Sequence, residues 1–213
     1  MIRTPKSLIA ICLLAASSAA MAGTTAELTV TGSVVPTACE PSFQNAGKVE
    51  YQLSHADLNA DPTASTTVAS KNLNFSINCT SATPVATRWV DNKPEHNDNA
   101  AHINYFGFGK DVNGEAIGRL WVQHPQSKAL GDGQPVDVIH STDKTNWAKN
   151  GYGQISKQHF TSFAAEGETT PKAFTTYTGT LQLKPTIRPS EQLDMSGALE
   201  IDSSLTMEVV YLM

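Results

Sequence analysis

The strongest constraint in the chain is its strict two-residue alternation. Near the C-terminus Leu199, Ile201, Ser203, Leu205, Met207, Val209 and Tyr211 fall on one face, and Glu200, Asp202, Ser204, Thr206 and Glu208 on the other. Leu73, Phe75, Ile77 and Cys79 alternate in the same way with Asn72, Asn74, Ser76 and Asn78. Leu28, Val30, Gly32 and Val34 start a third such run. In an extended chain this pattern buries one face and leaves the other in water. Further strands are expected at 48–53, 85–90, 102–109, 116–123, 136–140 and 174–183. The long run 199–211 reads as one strand. Nowhere does a helical period persist over 11 residues. Asn113 and Gly114 mark a hairpin turn. Pro185 and Pro189 break the chain before the last strand and suit edge or linker geometry. Many short strands with turns between them imply an all-β fold, an antiparallel sandwich.

The first 22 residues stand apart. Arg3 and Lys6 precede an uninterrupted apolar run of nine residues, and Ala20, Met21 and Ala22 form a small-residue cleavage site. This is the layout of an export signal, too short to span a bilayer. Cleavage is expected between Ala22 and Gly23, leaving one domain at 23–213. Processing takes the chain from 213 residues and charge −5 to 191 residues and −7. The acidic balance argues against nucleic acid as a partner. No later stretch is long and apolar enough to cross a membrane as a helix. Cys12 goes with the signal, and Cys39 and Cys79 remain. An even pair in an exported chain reads as a disulfide.

Chemistry-bearing patterns are sparse. There is no nucleophile elbow, phosphate loop or zinc-protease motif. His55, His96, His102, His124, His140 and His159 are scattered without ligand spacing, so no metal or cofactor is expected. Asp57, Asn59 and Asp61 begin like a calcium loop, but Pro62 and Val68 occupy positions that need Gly and Glu. Phe106, Gly107, Phe108 and Gly109 suggest close backbone packing within a strand rather than a phosphate cradle. Trp89, Trp121 and Trp147 read as core or half-buried rings, with an aromatic sugar platform as the sharper alternative.

The segment from Thr29 to Val35 with Pro36 and Cys39 after it, the strand leading into Cys79, and the alternating C-terminal strand with Tyr211 resemble bacterial chaperone–usher pilin subunits. Tyr105–Gly109 with Ile117 and Gly118, Ser141–Trp147, and Pro185–Pro189 are similar to segments of a family of exported, fimbrial-like proteins of Gram-negative bacteria with no established function. The resemblance implies an immunoglobulin-like, pilin-type sandwich lacking its last strand. Leu205, Met207, Val209 and Tyr211 would then line a strand-exchange groove. A periplasmic fimbrial chaperone and other pilus subunits would be the partners, by β-augmentation. The implied function is non-catalytic and structural or adhesive, in the periplasm or at the cell surface. Only five residues separate the expected cleavage from the first strand, too few for a donor. The alternative is a free periplasmic binding module, for sugar or calcium, with a self-complete sandwich.

Overall fold

A computed structural model describes residues 38–125 and 128–213. The signal, the Ala22–Gly23 cleavage site and the strand expected at 28–35 lie outside them. The strands are β1 Cys39–Phe43, β2 Thr66–Thr67, β3 Lys71–Thr83, β4 Val85–Asp91, β5 Tyr105–Gly107, β6 Gly109–Lys110 and β7 Gly118–Gln123. They continue with β8 Ala129–Gly131, β9 Gln134–Ser141, β10 Ala148–Lys149, β11 Phe160–Ala165, β12 Phe174–Ile187, β13 Glu200–Ile201 and β14 Leu205–Tyr211. Only short 3₁₀ turns interrupt them. The expected all-β, antiparallel fold is present, consistent with a generic immunoglobulin-like sandwich.

Two layers face each other. One runs β1–β3–β12, with β7 and then β5 beyond the far half of β12. The other runs β9–β11–β4–β14. The tight β8–β9 hairpin joins them, because β8 pairs β12 through Tyr177 and Gly131 and pairs β9 through Leu130 and Pro135. All pairings are antiparallel. At the opposite edge β1 and β14 approach without pairing, so the arrangement is nearly closed.

Alternation builds the core. On β3 Leu73, Phe75, Ile77 and Cys79 are buried, and Asn72, Asn74 and Asn78 are exposed. They meet Tyr177 and Leu181 of β12 and Val85, Trp89, Phe163 and Met207 of the second layer. Tyr177 is fully buried yet satisfied, its hydroxyl donating to the Thr83 carbonyl at 2.5 Å. Burial pushes its pKa up.

The paired glycines serve close approach, as the sequence suggests. A Cβ on Gly107 would lie 2.0 Å from the Lys93 carbonyl oxygen, and one on Gly109 would lie 2.1 Å from that of Glu200. Neither strand could pack so tightly with a larger residue.

Three expectations are corrected. Residues 48–53 form no strand, because their backbone makes no ladder with a described strand; Lys71 of β3 bonds the Glu50 carbonyl and the Tyr51 hydroxyl bonds the Leu183 carbonyl of β12 instead. The run 199–211 is not one strand: β13 pairs β6, β14 pairs β4, and Asp202–Ser204 turn between them. Pro185 breaks nothing; it sits inside β12 opposite Leu120. Its carbonyl accepts the Val68 amide at 3.1 Å just beyond the two-residue β2, where a missing donor costs a single rung.

Candidate functional site

β14 is the open edge of the second layer. Among the described residues it pairs only with β4, from Leu205 opposite Asp91 to Tyr211 opposite Val85. The Asn92 amide donates to Ser204 at 2.9 Å, and the Leu212 amide to Pro84 at 3.0 Å. These two bonds set the parity of the ladder. Thr206, Glu208 and Val210 exchange bonds with β4, and the peptide groups of Leu205, Met207, Val209 and Tyr211 point outward. The residues that turn their side chains inward therefore also turn their free main chain to the open edge.

The opposite bank is β1 and the chain from Gln44 to Leu53. A disulfide between Cys39 and Cys79 fastens β1 to β3, in register with Phe43 opposite Phe75. The Tyr211 hydroxyl accepts the Cys39 amide at 2.9 Å and closes this end. Beyond Phe43 the chain swings away, since Asn45, Ala46 and Gly47 all have positive φ, at 52°, 52° and 79°. Residues 49–53 then make no backbone–backbone hydrogen bond to any described residue, though the Glu50 carbonyl accepts from Lys71 Nζ.

A slot with an apolar floor and a partly polar rim opens between these banks. Its cavity is about 600 Å³, floored by Leu73, Trp89, Phe108, Val122 and Leu181, with Leu205 on one wall and Tyr51 on the other. A smaller cavity of about 170 Å³, lined by Leu53, Leu58 and Leu199, shares Ile201 with it. Lys71 lies 4.9 Å over the Tyr51 ring, and burial pushes the Tyr51 pKa up to about 12. On the β14 side Lys93 bonds Asp202 at 2.9 Å, holding that carboxyl below its usual range, and the Ser203 hydroxyl is buried with no partner among the described residues. The slot can therefore take an extended segment that supplies main-chain bonds and apolar side chains.

The four residues expected along a groove are placed differently from one another. Leu205 is half-buried and lines the cavity; Met207 is buried opposite Trp89. Val209 is half-buried, and Tyr211 is 45% exposed at the closed end. Phe43 and Tyr51 were missed as site residues; the alternation of Val49, Tyr51 and Leu53 is visible, but not that their neighbour is missing.

The other candidates resolve into structural roles. Asp57 bonds the Ser54 amide and hydroxyl, and Asp61 bonds Thr63. His96 is buried, with Nδ1 2.8 Å from the Asp202 carbonyl. His140 and His159 stack at 5.3 Å, and burial lowers the His140 pKa. Trp89 is core, and the Trp147 indole donates to the Lys144 carbonyl at 3.1 Å. Trp121 is half-buried on the outer face of β7.

Fold and site together define an all-β, disulfide-linked domain with an open strand edge over a slot with an apolar floor. A family described as "Protein of unknown function (DUF1120)" matches residues 28–104, a stretch that holds both cysteines, β3 and β4. Protein GltF of Escherichia coli (strain K12) is 27% identical over an alignment of 241 residues, covering 95% of this chain and 94% of its own length.

Proposed function

We propose that the protein is a non-catalytic, exported, fimbrial-like subunit, related to chaperone–usher pilins, whose slot receives a β-strand from a partner chain. The observation that carries this reading is the outward parity of β14 beside the apolar-floored cavity. An added strand would bond the free peptide groups of Leu205, Met207 and Val209 and drop alternate side chains over Leu73, Trp89 and Leu181. Left empty, such an edge is an aggregation hazard, which is the physical need a periplasmic chaperone meets. The N-terminal signal supports a location in the periplasm or at the cell surface. The slot offers main chain and apolar surface, and no nucleophile–base pair faces it among the described residues.

The test is co-expression of the full chain with a periplasmic fimbrial chaperone. The expected result is a co-purifying complex and a higher yield of soluble protein. Leu205→Lys, which puts a charge on the slot wall, reduces the complex. Equal yields of monomer with and without the chaperone, with no complex, would overturn the reading.

A further inference from the structure

The solvent face of β5, β7 and β12 carries a feature unrelated to the slot. Three rings lie in a row. His102 stacks on Tyr105 at 3.9 Å, and Tyr105 sits opposite Trp121 with centroids 6.0 Å apart. The Arg119 guanidinium lies 4.9 Å over the Tyr105 ring, and Asp98 neutralises it at 2.9 Å. Beside the rings runs a row of amides. Gln123 faces Gln182 on one side, at 3.0 Å, and Gln154 on the other. The Asn104 amide donates to the Gln154 side chain. Next to Gln154, Tyr152 projects from a loop, 76% exposed.

Unmet hydrogen-bonding capacity gathers here too. Asp98 Oδ1, Asn104 Oδ1 and Trp121 Nε1 are buried with no partner among the described residues. Each such group carries a desolvation cost that a hydroxyl-rich ligand can relieve as the side chains turn.

We propose that this face binds a neutral polysaccharide. The exposed His102 ring and the half-buried Trp121 indole, held by the Tyr105 ring between them, match the CH faces of sugar rings, and amides donate and accept, as sugar hydroxyls require. Amides on neighbouring strands at ~4.8 Å spacing extend over about 10–15 Å, the reach of two or three sugar units. The ligand is read as neutral from the rings and amides: the Arg119 guanidinium is already paired by Asp98, and Lys184, opposite Trp121 on β12, is a single cation beside the row, whose pull on an acidic sugar the alginate comparison reads out.

The test is native electrophoresis of the full chain through gels holding dextran, hydroxyethylcellulose or galactomannan, with alginate as the acidic comparison. At least one neutral polymer is expected to retard the protein. Trp121→Ala lowers the association constant roughly tenfold, the loss of one stacked ring face, and Tyr105→Ala lowers it by removing the ring that holds His102 and Arg119 in place. Tyr105→Phe retains binding, and Trp147→Ala, a ring elsewhere, leaves it unchanged. If the ring variants fail to fold, the Gln123→Ala/Gln154→Ala pair carries the test, because it alters only half-exposed amides. Retardation by no neutral polymer, by alginate alone, or equally for every variant would overturn the proposal.

Discussion

His124 stands in the core 5.4 Å from the Phe75 ring and 5.9 Å from that of Phe163, with neither ring nitrogen partnered among the described residues. Burial alone lowers its pKa from 6.5 to about 4. The two states set the sign. Above pH 6.5 His124 is neutral both folded and unfolded, and its contribution to stability is complete. As pH falls from 6.5 towards 4 only the unfolded chain takes up the proton, and stability is lost. The full loss is on the order of 3 kcal/mol below pH 4. Urea unfolding at pH 7 and at pH 4.5 should show a falling midpoint, and His124→Leu should flatten most of that slope. His140 also has a lowered pKa, from burial and from His159, and titrates in the same direction. A slope unchanged in His124→Leu and abolished in His140→Gln would assign the effect to the stacked pair instead. The local sequence carries one signal for it: His124 follows Leu120 and Val122 on the buried side of β7. What isolates it is distant chain, Phe75 and Phe163, brought over it by β3 and β11.

At the scale of elements, β1 depends on a single covalent tie. It is five residues long, its three central residues are exposed, and among the described residues it pairs only with β3. The Cys39–Cys79 bond closes a separation of 40 residues, which the chain-entropy model values at about 4 kcal/mol. Replacing both cysteines with serine should lower the unfolding free energy by ~2–4 kcal/mol. It should also free β1 first, seen as early hydrogen exchange at Glu40 and Ser42, whose amides face β3, while β12 stays protected. Coincident exchange of β1 and β12 would contradict this. The sequence shows β3, β12 and β14 clearly because each has one wet face, so burial writes a period of two. It hides β11, whose residues from Thr161 to Ala164 are all buried between β9 and β4. With both faces covered there is no alternation to read. The pattern at 48–53 fails in the opposite way. Val49 and Tyr51 face the slot and Leu53 the smaller cavity beside it, but a strand also needs a neighbour, and no local pattern supplies one. The disulfide was legible from count and compartment; the slot arises from pairings far apart in sequence.

For the molecule as a whole, the positions of Cys39 and Tyr211 decide how the sandwich closes. Their 2.9 Å hydrogen bond holds the layers together at one end, while the positive-φ turn after Phe43 opens them at the other. A strand entering the slot must therefore run along β14 from the Leu205 end and stop where Tyr211 meets Cys39. Its register is fixed, because a one-residue slip would turn its apolar side chains to water. Amide exchange tests this geometry directly. In the uncomplexed protein Leu205, Met207 and Val209 should exchange fast, and Thr206, Glu208 and Val210, bonded to β4, slowly. Capture of a strand should slow the first three by roughly the factor that a ladder bond of about 1 kcal/mol or more confers, and leave the second three unchanged. Uniform protection along β14 before any partner is added would mean that its outer edge is already paired, and the slot would not be free to receive a strand from another chain.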